Sequence, residues 1–227
     1  RPSLHQLSYL PLIIDSLIYP SPFRGSKLDS VHLAACWGGN VSTGRREIVS
    51  NESEHLILVD SADGELGTLS KSACHDGTGI LHRAFSLFIF NPEGELLIQQ
   101  RAADKRLWPS FWSNSCCSHP RSGESLETAT QRRCQQELGF ATPLQFVYKF
   151  EYHAEFRDLG AERELCSVFV GAFDGAPRIN QAEISAHRWI APHELDAELA
   201  ENPERFTPWF HLEWASLRNN HQQLLPA

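Results

Sequence analysis

The sequence contains no methionine, no long apolar run and no surplus of positive charge. Methionine is missing even at position 1, which fits a piece of a longer chain or an unusual or misassigned start. The apolar stretch at 10–14 contains Pro11 and is followed by Asp15, far short of the roughly 20 residues that cross a membrane. It also lacks the long apolar core of a signal peptide. We therefore expect no membrane span and no membrane partner.

The charge balance argues against polyanionic partners. Twenty Lys and Arg residues stand against 28 Asp and Glu residues, which gives a formal net charge of −8. Such a field disfavours binding to nucleic acid. It constrains only the protein as a whole, so a local basic pocket for a small phosphate ligand remains compatible with it.

The cysteines show neither a regular spacing nor a Cys-x-x-Cys pair. A chain of this length does not need disulfides to fold, so we expect reduced thiols and a cytoplasmic protein. A structural zinc site that combines Cys74, Cys116 or Cys117 with histidines is the weaker alternative, because no Cys-x-x-Cys pair supports it. The six cysteines are Cys36, Cys74, Cys116, Cys117, Cys134 and Cys166.

The chain divides by composition near residue 50. Prolines at 2, 11, 20 and 22 and the pair Gly38-Gly39 break each apolar run before that point. We predict an N-terminal extension at 1–50, partly disordered and without assigned chemistry, and a folded domain at 51–227. Apolar runs and turn signals predict strands over 54–60, 84–90, 95–101, 146–152, 164–173 and 185–190. Hairpins with few parallel crossovers predict an α/β (α+β) domain, a mixed sheet flanked by helices.

The clearest helix is predicted over 122–139. Ser122 is a good N-cap and Gly139 a good C-cap. Arg133 and Glu137, four residues apart, share one face of this helix. Prolines predict the start of two further helices, over 193–200 and 209–222. The residues of the first helix that recur at core spacing are Leu126, Ala129, Cys134 and Leu138.

The stretch 114–120 reads Asn-Ser-Cys-Cys-Ser-His-Pro. In an extended strand Cys117 and His119 point to the same face, so a thiol and an imidazole enter one pocket side by side. Trp108, Phe111 and Trp112 precede the stretch and are candidates for apolar walls. Taken alone, the stretch leaves open whether Cys117 is a reactive thiol or a small core residue.

Two further segments carry candidate metal ligands. His75 and His82 flank a turn with two glycines, which allows the chain to fold back and bring both rings to one ion. Glu162 and Glu164 alternate with an arginine, so a strand directs both carboxylates to one side. Together with His119, these residues suit a divalent ion such as Zn, Mn or Mg.

Four basic residues form a second candidate set. Lys71, Arg101, Lys105 and Arg133 can bind a diphosphate, arginine through paired hydrogen bonds and lysine as a point charge. From these residues alone, four ordinary surface charges are an equally good interpretation.

From about residue 54 to 215, the chain resembles type I isopentenyl-diphosphate isomerase, a family of the Nudix fold superfamily. A Nudix hydrolase has metal-binding carboxylates where this chain has Arg133 and Gln136. The loss of two negative charges argues against hydrolysis. The matching motifs are Lys71-x-x-x-His75, His82-Arg83-Ala84-Phe85, Gln100-Arg101-Ala102, Lys105, Trp108-Pro109, the stretch 114–120, residues 132–139, Glu162-Arg163-Glu164 and Thr207-Pro208-Trp209.

The resemblance implies a Nudix-like catalytic domain that interconverts isopentenyl and dimethylallyl diphosphate, in isoprenoid biosynthesis. It implies Cys117 and Glu164 as the acid/base pair on opposite sides of the substrate, with Tyr152 bonded to Glu164. Trp209, with Trp112 as a second candidate, offers a ring face to a carbocation. The resemblance also assigns the tightly bound divalent metal (Zn, Mn or Mg) to His75, His82, His119, Glu162 and Glu164.

The resemblance implies two further features of the site. A second ion, Mg, arrives with the substrate diphosphate and takes Glu137 as its protein ligand, and no flavin is implied. Lys71, Arg101, Lys105, Arg133, Trp209 and Cys117 are the implied substrate-binding residues. We expect a monomer whose only partner is the small allylic or homoallylic diphosphate. A Nudix-type hydrolase and a non-catalytic metal- or nucleotide-binding module are the alternatives.

Overall fold

Residues 46–225, which a computed structural model describes, contain a nine-stranded sheet and four α-helices. The strands are β1 (His55–Val59), β2 (Glu65–Ser70), β3 (His82–Phe90), β4 (Leu96–Arg101), β5 (Trp112–Ser113), β6 (Cys116–Ser118), β7 (Leu144–Phe156), β8 (Gly160–Ala172) and β9 (Ile184–Ile190). The helices are α1 (Lys71–His75), α2 (Leu126–Leu138), α3 (Pro192–Glu201) and α4 (Pro208–Asn220). Two short 3₁₀ helices cover Pro203–Arg205 and Gln222–Leu224.

Strand β3 is the centre of the sheet. It pairs in parallel with β8 along its whole length and antiparallel with β1, β4 and β6. Strand β7 extends the sheet beyond β8, and β9 pairs antiparallel with β4. One parallel pair among antiparallel ones makes the sheet mixed, as the sequence predicts.

Helices cover both faces of this sheet. Side chains of β3 alternate between the two faces, so this one strand packs against helices on both. Phe88 packs against Phe210 and Trp214 of α4, with ring centres 6.0 and 6.4 Å away. On the opposite face, Phe85 and Leu87 share a buried cluster with the apolar side of α2. Each fully buried side chain of this size stabilises the fold by roughly 1.5–3 kcal/mol. The predicted α/β (α+β) architecture, a mixed sheet between helices, is therefore confirmed.

Several predicted boundaries are wrong by a few residues. Helix α2 begins after Ser125, whose hydroxyl accepts a hydrogen bond from Thr128 N at 3.1 Å, and not after Ser122. Its predicted end is confirmed, since Gly139 adopts a left-handed φ of 81°. Strand β8 starts at Gly160 rather than at 164, and β7 is longer at both ends than predicted. The short elements β2, α1, β5 and β6 have no clear periodicity, and sequence reasoning did not define them.

Three other expectations meet the structure only in part. The predicted extension at 1–50 lies outside the described residues except for 46–50. Within 46–225, no helix combines the length and apolar character that crossing a membrane requires. The five cysteines of that part of the chain are unpaired thiols.

Candidate active site

Four elements near one end of the central strands bring the candidate metal ligands together. His75 ends α1, His82 opens β3, and His119 follows β6. Glu162 and Glu164 lie on β8, where Glu164 is the parallel partner of His82. Both glutamates are 7% exposed, whereas the side chain of the intervening arginine is 47% exposed. The predicted alternation of this segment is therefore confirmed.

The turn between His75 and His82 depends on glycine. Gly77 and Gly79 have φ values of 58° and 74°, in the left-handed region that glycine adopts without strain. A third glycine, Gly160, closes the turn from the side of β8. A Cβ atom there would lie 2.2 Å from the carbonyl oxygen of His75, so no other residue fits. The chain thus folds back between the two histidines, as the two glycines between them predict.

Four of the ligands converge on one point. His75, His82, His119 and Glu162 each offer one ligand atom, and these atoms lie within 4.8 Å of one another. Nε2 of His75 lies 3.0 Å from Oε2 of Glu162 but lacks hydrogen-bond geometry, so both atoms are buried without a hydrogen-bond partner. Nε2 of His82 is also unpartnered, while its Nδ1 lies 2.7 Å from the Ile80 carbonyl oxygen. Buried, unpaired and convergent nitrogen and oxygen donors fit a divalent metal ion.

Glu164 lies beside this group of four. Its Oε1 is 2.9 Å from Nε2 of His119 and 3.7 Å from Nε2 of His82. Tyr152 donates a hydrogen bond of 2.6 Å to the other carboxylate oxygen, which is the contact expected from the sequence. Burial raises the pKa of Glu164, but the hydrogen bond with His119 and the nearby His82 imidazole outweigh it, and the pKa falls well below the usual value. Glu164 is therefore a carboxylate, and the neutral hydroxyl of Tyr152 is directed at its second oxygen.

Cys117 is held by a buried polar network. Its Sγ lies 3.2 Å from Oδ1 of Asn114, which accepts the thiol hydrogen, and 3.6 Å from Oγ of Ser113. Asn114 is fixed in turn by bonds from its amide to the carbonyl oxygens of Leu87 and Cys116. Burial raises the pKa of Cys117 to about 12, so the thiol is protonated near neutral pH. Cys116 points to the opposite face, into the α2 cluster.

The aromatic side chains around the thiol divide into two groups. The Trp209 indole donates to Ser113 Oγ at 3.1 Å, and Trp108 packs against it edge-on with ring centres 5.1 Å apart. The guanidinium of Arg101 lies 5.3 Å from the Trp209 ring centre. Trp112 is placed elsewhere, with the Arg188 guanidinium 4.9 Å from its ring centre, and it does not line the cavity described next.

One cavity connects these groups with the basic residues. Its walls include Cys117, Glu164, Tyr152 and Trp209 and all four predicted diphosphate-binding residues, Lys71, Arg101, Lys105 and Arg133. The basic residues are therefore members of the site and not scattered surface charges.

Glu137 is placed less directly than the sequence suggests. It is 3% exposed but does not line the cavity. Its Oε1 accepts two hydrogen bonds from Arg133, at 2.9 and 2.5 Å. The predicted shared face of Arg133 and Glu137 is therefore present as a buried ion pair. In this arrangement Glu137 faces the guanidinium from behind the cavity wall.

Sequence reasoning missed several members of the site. Glu183 lines the cavity and contacts both Lys105 and Arg133. Arg106 lines it as well and ties α1 to the β7–β8 turn, through the carbonyl oxygens of Ser72 and Leu159. Ser113 links Trp209 to the thiol network. No local pattern marks these residues, because their partners are up to 96 positions away along the chain.

Comparison with known proteins identifies the superfamily of this fold. The NUDIX domain family matches residues 80–210. A crystal structure from Deinococcus radiodurans superposes with a TM-score of 0.55 and 25% identity, over 66% of this chain and 90% of that one. The protein therefore belongs to the NUDIX superfamily.

Curated relatives narrow the class. Isopentenyl-diphosphate Delta-isomerase 1 of Photorhabdus laumondii is 44% identical over 74% of this chain and 97% of its own length. Isopentenyl-diphosphate Delta-isomerase of Serratia proteamaculans is 46% identical over 69% of this chain and 87% of its own. Within the NUDIX superfamily, the chain belongs to the isopentenyl-diphosphate Delta-isomerase family.

Proposed function

We propose that the protein interconverts isopentenyl diphosphate and dimethylallyl diphosphate. The observation that carries the proposal is the cavity that a protonated thiol, Cys117, shares with a carboxylate, Glu164, and with four basic residues. Family membership supports the same reaction, since the relatives bear the name of this activity.

The reaction needs two proton-transferring groups. It moves a double bond by one position, so one carbon gains a proton and another loses one, with a tertiary carbocation between the two steps. Tyr152 and Glu164 form one group. The tyrosine oxygen carries the proton and lies 2.6 Å from the carboxylate oxygen that accepts the hydrogen bond. Cys117 forms the other. The two groups exchange roles in the reverse reaction, so either direction uses the same pair.

The carbocation needs protection from water and a source of negative charge density. Trp209 is 3% exposed and lines the cavity, and an indole face stabilises a desolvated cation by about 2 kcal/mol. Arg101 already lies 5.3 Å from the ring centre. The Trp209 ring is thus already in contact with one cation, and we infer that it stabilises the substrate-derived carbocation by the same interaction.

We assign the tightly bound metal to His75, His82, His119 and Glu162, with Glu164 as the fifth ligand. Zn, Mn and Mg all suit a mixed nitrogen and oxygen set. Burial lowers the pKa of His119 to about 4, so its imidazole is neutral and has a lone pair for a metal. When bound, the ion supplies positive charge that compensates the buried carboxylates and tunes the basicity of Glu164.

A second ion, Mg, would accompany the diphosphate, with Glu137 as its protein ligand. Both hydrogen bonds from the Arg133 guanidinium to Glu137 are made to Oε1, so Oε2 can meet the ion without breaking them. The incoming diphosphate offers further acceptors to Arg133. The chemistry of the reaction needs no flavin, and the predicted monomeric state and cytoplasmic location stay predictions.

The test uses purified, metal-loaded protein with isopentenyl diphosphate and Mg, followed by NMR detection of dimethylallyl diphosphate. Cys117→Ala and Glu164→Gln should each lower turnover by at least about a thousandfold, because each removes one of two obligatory proton carriers. Cys116→Ala and Glu155→Gln are the matched controls, since the Cys116 thiol faces away from the cavity and the Glu155 carboxylate is exposed. Full activity in Cys117→Ala or Glu164→Gln would overturn the mechanism. Release of phosphate in place of isomerisation would favour a hydrolase.

A further inference from the structure

Glu183 is a buried carboxylate that contacts two of the basic cavity residues, Lys105 and Arg133. Its side chain is 5% exposed, and its Oε2 lies 3.3 Å from Nη2 of Arg133. The same oxygen accepts a short hydrogen bond from Nζ of Lys105. The carboxylate thus joins a lysine from the loop after β4 to an arginine of α2.

The backbone around Glu183 is fixed from several sides. Its amide donates to the Asn180 carbonyl oxygen at 2.9 Å, and its own carbonyl accepts from Ala102 N at 2.9 Å. The Asn180 amide in turn donates to the Glu137 carbonyl oxygen at 2.8 Å. The position of Glu183 is therefore set by main-chain bonds, and its side chain is free to orient the two cations.

Charge explains why an anion belongs in a site for a diphosphate. Lys71, Lys105 and Arg133 line one cavity, where buried like charges repel one another. Burial lowers the pKa of Lys71 and proximity of Lys105 lowers it further, whereas Glu52, Glu162 and Glu183 oppose that shift. Burial alone would raise the pKa of Glu183, but Lys105 and Arg133 lower it, so the group is a carboxylate. It compensates the cations until a substrate does so.

We propose that Glu183 is a positioning residue of the diphosphate site, which holds Lys105 and Arg133 oriented for the phosphate oxygens. This inference rests on the proposed function and adds a residue that acts through the cations. A direct contact between Glu183 and a diphosphate would be repulsive, so its contribution passes through its two partners. The structure also explains why the loop carrying Lys105 stays at the cavity: Glu183 holds it by one backbone and one side-chain bond.

The test measures the binding of inorganic pyrophosphate with Mg to the full-length, metal-loaded protein by calorimetry. Glu183→Ala should weaken binding by about 10- to 100-fold, the range lost with a charge-assisted hydrogen bond. Glu183→Gln keeps an oxygen acceptor for Lys105 and should lose less than Glu183→Ala. Glu198→Gln, which removes a carboxylate from an ion pair with Arg188 outside the cavity, is the control and should bind as the unmodified protein does.

A double-mutant cycle separates positioning from general damage. We compare the fold-loss of pyrophosphate affinity that Glu183→Ala causes in two backgrounds. With Lys105→Ala already present, this loss should be at most about one third of the loss in the unmodified protein. In kinetics, Glu183→Gln should raise KM for the substrate while kcat changes little. If Glu183→Ala does not fold, Glu183→Gln in the two backgrounds decides the question in the same way.

Three results would overturn the proposal: unchanged binding in the glutamate variants, tighter binding in Glu183→Gln, or an equal loss with and without Lys105. Tighter binding would identify Glu183 as a competitor of the diphosphate. Isomerisation by the unmodified protein is measured separately. Its absence, together with the expected pyrophosphate results, would reject the proposed function and leave the role of Glu183 intact.

Discussion

Two clusters of charged side chains meet at the cavity, and they differ in how far each is satisfied internally. The imidazole cluster consists of His75, His82, His119 and Glu162, and three of its potential metal-ligand atoms are buried without a hydrogen-bond partner. The paired cluster consists of Lys105, Arg133, Glu137 and Glu183, and each of its charges faces an opposite one. The first cluster therefore has buried polar atoms without partners, whereas the charges of the second are paired with one another.

This difference separates a permanent ligand from a transient one. Unpaired buried donors cost free energy unless an ion binds them, so the imidazole cluster fits a tightly held metal. A self-compensated ion-pair network is stable when empty and can exchange partners when a diphosphate arrives. We therefore propose that a metal ion is held at one end of the cavity and that the diphosphate binds at the other.

The largest expected effect comes from removing a ligand of the imidazole cluster. His82→Ala should lower metal affinity by at least about 100-fold, more than the loss of an outer-shell contact, and turnover should fall with it. Metal content by elemental analysis and the NMR assay measure the two effects. His55→Ala, on the exposed start of β1, is the control. A full metal complement in His82→Ala would contradict the assignment.

The paired cluster should respond through stability. Arg133→Met leaves Glu137 and Glu183 buried without their common partner, and breaking a buried ion pair costs about 3–5 kcal/mol. Urea unfolding of the metal-loaded protein measures the change, and metal content should stay unaltered. Arg218→Met breaks a pair whose side chains are 32% and 42% exposed and should cost at most about 1 kcal/mol. Equal losses in the two variants would show that burial of the cluster is unimportant.

A fifth buried carboxyl, Glu213, sharpens the comparison, because within residues 46–225 it has neither an ion-pair partner nor converging ligands. Burial raises the pKa of Glu213 to about 8, and its Oε2 has no hydrogen-bond partner. The folded protein therefore binds this proton up to pH 8, whereas the unfolded chain releases it near 4.5. Folded Glu213 holds the extra proton throughout that window, so its contribution to stability decreases as pH rises from 4.5 to 8.

Glu213→Gln removes this titration. The stability of the unmodified protein minus that of Glu213→Gln should fall across the window by up to about 1.4 kcal/mol per pH unit. Above pH 8 the difference should level off. Urea unfolding at a series of pH values measures it. A difference that is constant with pH would show that Glu213 is ionised in the folded protein.

The smallest expected effect lies in the network behind the thiol. Ser113→Ala removes a hydroxyl that Trp209 donates to and that lies 2.9 Å from Thr207 Oγ1, which should cost about 1–2 kcal/mol of stability. Turnover should fall by about tenfold as Cys117 loses its orientation. Ser113→Thr keeps the hydroxyl and should retain activity. Unchanged turnover in Ser113→Ala would show that Asn114 alone positions the thiol.

The sequence defines these regions unequally. The turn between His75 and His82 was predictable, because two nearby glycines mark it in the local sequence. The shared side of Glu162 and Glu164 was predictable from the alternation of side chains in a strand. The family resemblance supplied the ligand set as a whole. Glu183 was not predictable, since its partners Lys105 and Arg133 are 78 and 50 positions away, and nothing in its neighbours marks it.

The fold shows the same division. Strand β3 and helix α2 have strong apolar patterns, and both were found from sequence with small boundary errors. Helix α1, only five residues long, carries Lys71 and His75 but has no amphipathic period to detect. Trp112 was a candidate for the cation site because it precedes the stretch 114–120. Its ring packs with Arg188 instead, a contact between β5 and β9 that only the sheet topology creates.

The most direct test of the account is a metal titration of metal-free protein, with isopentenyl diphosphate and Mg present throughout. We expect turnover to rise with added Zn or Mn and to reach a plateau at one equivalent, while His82→Ala stays inactive over the same range. Full turnover in Mg alone would identify Mg as the ion of the imidazole cluster. Full turnover by His82→Ala at any point of the titration would contradict the central claim that the imidazole cluster binds the metal on which isomerisation depends.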